Sequence, residues 1–536
     1  MTAIDLYPRP AAAVTTLTIR QMYRGATVVT VVCAGMSALV AGTYRATVGN
    51  GLDLASLQSL ATNPAIRTLF GEPTGLDTAG GFTVWRTGTV LAVLVGVWGL
   101  LAATRLTRGE EDARRWDLLL AGRLPAAVVT VRTVAVLFTA ALLTGTAVTL
   151  ALIATGTAVS GAVLHGAGIA ATGVFFTAVG GLTAQLWPAR TSATMAAMAV
   201  LVVGLLVRMV GDGVAWLSWL RWLSPFGLLE LSRPYAGDRP VPLLVLIAAA
   251  ALVTVAAIAA GHRRDLHGGF FQPDAGRPPH MALLGSVPGF AARRMLGTLA
   301  GWMLAIGAYY GLIGLIGRSM TRFLADNPRF ADAAAQAGFT GLGSIQGFAG
   351  TLFALLAVPI GVFTAIRIAA LVDDETAGRL TLVCTQPVSR ITLAGAETAA
   401  AAAGAVILTL TAAGAIWAGT TMVDAGLDLT EALGGAVNVL PVALLCLGAA
   451  VFALGIAPRF VGLIGSLPAA GGFLWYVLAD TIGAPAWSQQ VSPFAHLTPA
   501  PAASPDWAGT GGMLAVAATT TVIGLWTYRR RDLRIS

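Results

Sequence analysis

Lysine is absent from this chain, and all 33 of its basic residues are arginines. A phosphate-binding loop of the GxxxxGKS/T type needs a lysine to reach the terminal phosphates of a nucleotide. The absence therefore excludes an ordinary nucleotide-hydrolysing site of that type. No GxSxG or HExxH motif and no pair of catalytic carboxylates stand out either. We expect a protein that is not an enzyme and that holds no cofactor or metal of its own.

Charged residues are scarce as well. They form 11% of the 536 residues, against roughly 25% in soluble domains. Apolar residues form 56%, and the mean hydropathy is +0.77. This composition indicates an all-α polytopic membrane protein. The sequence pI near 10.0 would on its own suggest a nucleic-acid partner, but the arginines are scattered beside apolar runs, which favours membrane topology and no nucleic-acid partner.

Cysteine is also rare. Cys33, Cys384 and Cys446 show no paired spacing, so we interpret them as small hydrophobic residues. The five histidines lack metal-ligand spacing. His165 lies alone near the start of an apolar run, where we expect its ring to make a satisfied polar contact.

Long apolar runs dominate the chain instead. About twelve of them are bounded by charged or turn-forming residues and approach the ~20 residues needed to cross a bilayer. The first six are predicted at 25–44, 83–104, 132–156, 161–186, 192–211 and 241–261. The second six are predicted at 297–317, 347–368, 391–417, 433–456, 460–479 and 509–527. Arginines cluster on the connections that share a side with the N-terminus, which predicts a multi-pass protein of the cell membrane with both termini in the cytoplasm.

The second half of the chain repeats the first. Arg105, Glu111, Asp112 and Pro125 recur as Arg367, Asp373, Asp374 and Pro387, each 262 positions later. Ser224-Pro225-Phe226 recurs as Ser492-Pro493-Phe494, and Arg264-Asp265-Leu266 recurs as Arg531-Asp532-Leu533. We therefore predict two parallel six-helix repeats, over 1–261 and 289–536, joined by a turn-rich linker over 262–288 that has no fold of its own. An amphipathic segment, 10–24 or 286–296, precedes the first span of each half.

The segment after the second span of each half carries the strongest functional pattern. Acidic residues open it, arginines and leucines follow, and a proline ends it, which predicts a short amphipathic helix over 108–124 and another over 371–387. Pairs at i, i+4 join Glu110 to Arg114 and Glu111 to Arg115. A solvated surface hairpin is one interpretation; the duplication favours a docking helix for a partner that acts on both halves. The candidate residues are Glu110, Glu111, Asp112, Arg115 and Trp116, with Asp373, Asp374, Glu375 and Arg379 in the second half.

The loop before the last span of the first half is rich in tryptophan. Trp216, Trp219 and Trp222 recur every three residues ahead of the Ser-Pro-Phe motif, a spacing that suits one face of a helix at headgroup level. The segment is either an aromatic anchor or an outer gate over a central pathway. The candidate gate residues are Asp212, Trp219, Trp222, Pro225 and Phe226, with Asp480, Pro493 and Phe494 in the second half.

Few charges lie inside or beside the spans, where burying one near the bilayer centre costs roughly 2.5–3.5 kcal/mol. Arg208 and Asp212 are four residues apart, which predicts a local ion pair. Glu397 lies a short way inside its span, and we expect its carboxylate to extend to the interface.

The order and duplication of these features resemble the permeases of type-2 ATP-binding-cassette (ABC) exporters, in the subgroup that exports tetronasin and other polyketide antibiotics. The resemblance covers nearly the whole chain, although Trp487 and the TPAPAASP run replace the tryptophan series in the second half. It implies elbow helices at Arg20 and Arg294, coupling helices at the acidic segments, outer re-entrant helices, and a separate ATPase that docks as two copies and binds ATP and Mg. It also implies a hydrophobic or amphiphilic drug as cargo, and a pathway lined by spans one, two and five of each half. The pathway candidates are Met36, Trp98, Met195, Met198, Phe353 and Phe363.

Two other functions stay open on the sequence alone. A proton-driven secondary multidrug transporter is also built from two repeats of six spans, but it usually needs a buried acid–base relay, which the sequence does not display. A membrane enzyme would use outer carboxylates such as Asp53, Asp212 or Asp480, which are scattered along the chain.

Overall fold

The computed structural model describes residues 10–49, 67–68, 71–121, 124–264, 268–271, 281–326, 343–376, 378, 380, 385–481 and 485–531. The chain divides into two compact units, Met1–Arg277 and Pro278–Ser536. Every regular element in the described ranges is helical, and no strand occurs among them. The described part is therefore all-α, as the composition predicts.

The first unit consists mainly of long helices. Its elements are α1 (Pro10–Gly49), α2 (Ala79–Thr104), α3 (Glu110–Asp112), α4 (Arg115–Leu120), α5 (Ala126–Ala154), α6 (Val159–Leu186), α7 (Arg190–Gly213), α8 (Pro225–Leu231) and α9 (Val241–His262). A π-helical turn, Arg105–Gly109, joins α2 to α3, and a 3-10 helix, Ala215–Leu223, precedes α8. The central helix is α6, which packs against α2, α5, α7 and α9.

Small residues let α5 and α6 approach closely. A Cβ on Gly166 would lie 2.0 Å from the Thr149 Oγ1 and 2.5 Å from the Gly145 carbonyl oxygen. Lipid tails are as apolar as leucine, so membrane helices associate through close backbone packing of this kind. Buried apolar side chains such as Leu91 and Phe176 fill the space around α6.

The second unit follows the same order. Its elements are α10 (Val287–Asp326), α11 (Ile345–Thr376), α12 (Arg390–Met422), α13 (Leu429–Val437), α14 (Leu440–Ile456), α15 (Val461–Ser466), α16 (Gly472–Thr481), α17 (Ala486–Gln489) and α18 (Trp507–Arg530). A π segment, Leu467–Gly471, joins α15 to α16, and a 3-10 turn, Pro493–His496, precedes α18. Helix α10 packs on α12, and α14 packs on α11 and α18, as α1 packs on α5 and α6 on α2 and α9 in the first unit.

Eleven helices in the described part are long and apolar enough to cross a membrane. They fall on eleven of the predicted spans, and the chain is a polytopic membrane protein. The remaining prediction, 460–479, falls on α15, the π segment and α16, so this span is helical but interrupted. Pro468 lies in the π segment, and its missing N–H removes a hydrogen bond from the helix ladder.

The segments predicted as elbow helices are not separate elements. Helices α1 and α10 each run through the predicted elbow and the first span without a break, over 40 residues. The physical reason is that neither helix contains an interior proline. Pro10 and Pro288 both lie in the first turn, where proline is tolerated.

The segment predicted as a linker, 262–288, is not a bare tether where it is described. Residues 268–271 return to the end of α6, where the Phe271 N–H donates to the Leu186 carbonyl oxygen at 3.0 Å. The Phe271 ring lies 5.0 Å from the Trp187 ring. The first part of this segment therefore belongs to the first unit, because it satisfies an open carbonyl at a helix C-terminus.

Candidate functional site

A buried ion pair joins the end of the second long helix to the end of the last one in the first unit. Glu111 in α3 is fully buried. Arg264, just after α9, holds both carboxylate oxygens, with Nη1–Oε1 and Nη2–Oε2 distances of 2.7 and 2.6 Å. Its Nε donates to the Gln185 Oε1 in α6 at 2.6 Å. Two parallel hydrogen bonds between a planar guanidinium and a carboxylate fix the relative orientation of the two side chains as well as their distance. We call the Glu111–Arg264 pair the first clamp.

A second arginine packs around the first clamp. Arg108, 1% exposed, lies 3.3 Å from the Glu111 carboxylate and 3.2 Å from that of Asp112. It also donates to the carbonyl oxygens of Pro188 at 3.0 Å and Gly268 at 2.8 Å. Buried charges persist when they are paired and hydrogen-bonded. These bonds fix the end of α2 to the loop before α7 and to the residues after α9.

Asp112 ties the same segment to α7. Its Oδ2 accepts a hydrogen bond from the backbone N–H of Arg190, the first residue of α7, at 2.8 Å. A carboxylate at a helix N-terminus is favourable because it faces the positive end of the helix dipole. The end of α2 thus contacts α7 as well as the end of α9.

Helix α4 has one anchored side and one exposed side. Trp116 is 1% exposed and packs with Val14 of α1 and Val129 of α5. On the other side, Leu118 is 81% exposed. The buried tryptophan holds α4 against two long helices, and the leucine is presented away from the unit.

The predicted helix over 108–124 is in fact two helices with a turn between them. Arg114 has a φ of 56°, in the left-handed region, and separates α3 from α4. Because the chain turns there, Arg115 bonds back to both carboxylate oxygens of Glu110, at 2.6 and 2.8 Å, in place of the expected i, i+4 pairs. Glu111, a candidate for contact with a partner, is an internal residue.

The second unit has a corresponding pair. Glu375 in α11 is buried, and Arg531, directly after α18, donates to its Oε1 at 2.6 Å. Arg390, at the start of α12, donates to the Arg531 carbonyl oxygen at 2.9 Å. We call Glu375–Arg531 the second clamp. Both clamps use the arginine of the duplicated Arg-Asp-Leu motif.

The clamps correct the register of the repeat. Matching residue types pairs Glu111 with Asp373, but the structural counterpart of Glu111 is Glu375, 264 positions later. Asp373 is exposed. A shift of two residues turns a side chain by about 200° around a helix. Aligning the two halves by residue type therefore pairs Glu111 with a residue on the wrong face of α11. Arg379 lies outside the described residues.

A further buried network lies in the second unit. Glu397 accepts from the Arg294 Nη1 at 2.6 Å and from the Arg367 Nη2 at 3.0 Å. Arg294 also pairs with Asp374. The expectation that Glu397 extends to the interface is wrong, because it is 1% exposed and two arginines meet it inside the bundle. Arg294, the elbow candidate, thereby links α10 to α11 and α12.

At the opposite end of each unit, the Ser-Pro-Phe motif forms the same joint twice. The Ser224 Oγ donates to the Gly204 carbonyl oxygen at 2.6 Å, and the Ser492 Oγ donates to the Gly472 carbonyl oxygen at 2.8 Å. Each hydroxyl also accepts from the backbone N–H of the motif's phenylalanine, at 3.2 Å in both units. The bond reaches a carbonyl 20 residues earlier in each case, so the motif fixes this turn to α7 in the first unit and to the start of α16 in the second.

The gate candidates divide into buried and exposed residues. Pro225 and Phe226 are buried, and the Phe226 ring lies 5.5 Å from that of Phe176. Phe494 is buried 5.4 Å from Phe473, with Pro493 half-buried. Trp219 and Trp222 are 56% and 46% exposed, as membrane-surface anchors would be. The side chain of Asp480 lies outside the described residues.

Arg208 and Asp212 form the predicted local ion pair, at 2.7 Å. The spacing of residues does not predict the third member, Glu230 of α8, whose carboxylate lies 3.1 Å from the Arg208 Nε. Glu230 also accepts from the backbone N–H of Glu72. The pair therefore belongs to a network that fixes α7 to α8.

Glu72 lies between two arginines that the sequence analysis did not single out. Its carboxylate oxygens lie 2.8 Å from Arg221 and 2.9 Å from Arg233. Burial alone would raise the pKa of Glu72, but the hydrogen bonds and charges of Arg221 and Arg233 outweigh it and lower that pKa below its usual value. The segment before α2 is thereby held to the tryptophan-rich loop.

The loop after the Ser-Pro-Phe motif packs against glycines in both units, with different chemistry. In the first unit, Gly80 and Gly161 face the Tyr235 ring, which a Cβ at either position would approach to 2.4 or 2.5 Å. In the second unit, Gly350 and Gly435 face the backbone of the TPAPAASP run, where a Cβ on either would lie 2.8 Å from the Ala500 carbonyl oxygen. The surface packed against the glycines is therefore an aromatic ring in the first unit and backbone carbonyls in the second.

Two of the six pathway candidates, Phe353 and Phe363, are buried packing residues. Phe353 is 1% exposed and stacks on Tyr310 at 6.0 Å, and Phe363 is fully buried, 6.1 Å from the Trp302 ring. Both rings are enclosed by their own unit. The half-buried candidates are Met36, Trp98, Met195 and Met198.

Comparisons with known proteins identify the family of this chain. A family model described as "Multidrug efflux system permease Rv1217c, C-terminal domain" matches the chain in two stretches, 15–263 and 284–529, one in each unit. The chain is also 30% identical over 488 residues to the protein named "Multidrug efflux system permease protein Rv1217c" of Mycobacterium tuberculosis (strain ATCC 25618 / H37Rv), which covers 90% of this chain and 87% of that relative. The two stretches together span most of the chain. The chain therefore belongs to the family of multidrug efflux system permeases that this model describes.

Proposed function

We propose that the chain is the membrane subunit of an ATP-driven drug exporter, energised by a separate ATPase that docks as two copies. The observation that carries the proposal is the pair of clamps. Each unit fixes the segment after its second span to the end of its last span, through the arginine of one duplicated motif. A symmetric motor needs one rigid attachment in each half. The absence of lysine is consistent with ATP and Mg binding on the partner.

In the first unit, a load on α4 would reach several spans at once. Trp116 carries it to α1 and α5, Glu111 carries it to the end of α9, and Asp112 carries it to the start of α7. Packed interiors and buried ion pairs deform little, so the ends of these helices would move together. Such motion exchanges two states of a pathway, as nucleotide-driven coupling requires.

The membrane orientation belongs to the same proposal. Arginines cluster at the ends that carry the clamps, and positive residues favour the cytoplasmic side. Both termini and α4 are then cytoplasmic, in the cell membrane, and the Ser-Pro-Phe joints face outward. This arrangement is that of type-2 ABC exporter permeases of the polyketide-antibiotic subgroup, which the sequence resembles.

The cargo we propose is a hydrophobic or amphiphilic drug or antibiotic. The printed name of the relative includes multidrug efflux. In the first unit, Met36, Trp98 and Met198 lie half-buried around the apolar core. Methionine and tryptophan suit adaptable apolar binding because they fill irregular space without fixed polar partners.

The test replaces Leu118 by aspartate. Because Leu118 is 81% exposed on α4, Leu118→Asp removes apolar docking surface without opening the core. We expect co-purification of the ATPase with the tagged chain to fall at least about tenfold, equivalent to roughly 1.4 kcal/mol of binding. Drug export from ATP-loaded inverted vesicles should fall in parallel.

The matched control is Met422→Asp, which makes the same kind of change at a residue 76% exposed at the end of α12. It lies away from both clamps along the chain, so ATPase binding should stay at the level of the unaltered protein. Equal ATPase recovery with Leu118→Asp and Met422→Asp would contradict docking at α4.

A proton-coupled multidrug transporter is the second candidate. One observation favours it: His165 is fully buried in α6, and neither ring nitrogen has a hydrogen-bond partner within the described ranges, so the expected satisfied contact is not found there. A buried histidine is a common proton carrier. Export that stops when the proton gradient is collapsed, and continues without ATP, would select this candidate over the first.

A further inference from the structure

An open groove lies within the second unit, beside the Ser492 joint. Its volume is about 900 Å³, within the range of drug-sized binding sites. The π segment, α16, the Ser-Pro-Phe turn and α18 form its walls. Most of its surface is apolar, and its larger side chains include Leu467, Trp475, Val491, Met513 and Val516.

One carboxylate and one imidazole interrupt the apolar lining. Asp506 caps the start of α18, with its Oδ1 accepting from the Gly509 N–H at 3.0 Å. Its Oδ2 lies 3.8 Å from the His496 Nδ1. The His496 Nε2 lies 3.0 Å from the Gln490 carbonyl oxygen, which accepts only, so the ring proton of a neutral His496 belongs on Nε2. The nitrogen that faces Asp506 then carries no proton, and no arginine lines the groove among the described residues.

We propose that this groove binds a lipophilic cation, with the charge beside Asp506 and the apolar body against Trp475 and Met513. The proposal rests on the proposed drug export and names its substrate class. The Asp506 carboxylate attracts a positive charge placed in the groove, because the imidazole of a neutral His496 presents an unprotonated nitrogen to it. An indole face adds a cation–π contribution. A phospholipid fits less well, because its phosphate would lie against the same carboxylate.

The experiment measures binding to the purified full-length chain in lipid nanodiscs, without any ATPase. The probes are tetraphenylphosphonium, its anionic analogue tetraphenylborate and the neutral triphenylphosphine oxide. We expect tetraphenylphosphonium to bind the unaltered chain at least about tenfold more tightly than either analogue, since they share its apolar rings but not its charge.

Two variants locate the binding. Asp506→Asn removes the charge but keeps the helix cap, because asparagine caps as well as aspartate; the affinity for tetraphenylphosphonium should fall about fivefold or more. Gly512→Leu fills the groove, and a Cβ at Gly512 has open space around it, so the helix itself is not strained. It should weaken all three probes.

The controls are Asp424→Asn, at a carboxylate 91% exposed elsewhere in the unit, and Gly511→Leu, at an equally open glycine that does not line the groove. Both should bind like the unaltered chain. Unchanged tetraphenylphosphonium binding in Asp506→Asn and Gly512→Leu would overturn the proposal. It would also be overturned if Gly512→Leu lost co-purified lipid but still bound tetraphenylphosphonium, because the groove would then be a lipid site. Because no ATPase is present, failure here is distinct from failure of ATPase docking at Leu118.

Discussion

Replacing Arg264 by methionine should destabilise the first unit strongly. The change removes the bidentate hydrogen bonds of Arg264 to the fully buried Glu111 carboxylate, at 2.6 and 2.7 Å. The remaining cation beside this carboxylate is Arg108, at 3.3 Å. Removing one partner of a buried ion pair costs roughly 3–5 kcal/mol, because an uncompensated charge stays behind. Since Arg108 still compensates part of that charge, we expect Arg264→Met to lower the free energy of unfolding by about 3 kcal/mol.

Chemical denaturation of the purified chain in detergent measures this change. Arg105→Met is the control, because Arg105 is exposed and its guanidinium reaches only the Gln21 carbonyl among the bonds that the structure gives it. It should cost less than about 0.5 kcal/mol. The double variant Glu111→Gln with Arg264→Met should recover at least half of the single loss, since no buried charge is then left unpaired. An effect of Arg264→Met no larger than that of Arg105→Met would refute the clamp.

Two further predictions concern the opposite end of the units. Ser224→Ala and Ser492→Ala should each lower the free energy of unfolding by about 1–2 kcal/mol, because each removes a helix cap and a bond to a glycine carbonyl. The control is Ser466→Ala, which should change it little, because among the described contacts the Ser466 hydroxyl bonds only to the Leu463 carbonyl oxygen of its own helix. A loss in one unit with no loss in the other would contradict the duplicated joint. Because the pKa of Glu72 is lowered in the folded state, its ion pairs stabilise the protein at neutral pH, and this stabilisation is lost as pH falls through that lowered pKa. Below about pH 5, the melting temperature should therefore fall more steeply with decreasing pH in the unaltered protein than in Glu72→Gln. Identical pH profiles of the two proteins would contradict this role of Glu72.

Much of the architecture follows from the sequence, because apolar length and duplication act over tens of residues. The spans need only length and hydropathy, and the Arg-Asp-Leu and Ser-Pro-Phe repeats mark positions that the structure uses in the same way in both units. Pro468 marks the interrupted span, although its effect on the helix is visible only in the structure.

The sequence does not reveal which charges face inward. Glu110, Glu111 and Asp112 are adjacent, yet one pairs with Arg115, one is buried in the clamp, and one bonds to the start of α7. Their directions depend on a π turn before them and a left-handed residue after them. Both are local departures from α-helical geometry, of five residues and of one, so composition and periodicity carry no record of them.

The unbroken length of α1 has a consequence for where a partner meets the membrane. A helix of 40 residues extends for about 60 Å at a rise of 1.5 Å per residue, whereas a bilayer with its headgroups is about 40–45 Å thick. About 15 Å of an upright α1 therefore stands clear of the lipid. Val14, near its start, packs with Trp116 of α4, so α4 lies beside the N-terminal end of α1. On the proposal that the ATPase docks on α4, we expect the partner to reach this helix beyond the headgroups, through water, with little influence of lipid composition on the encounter.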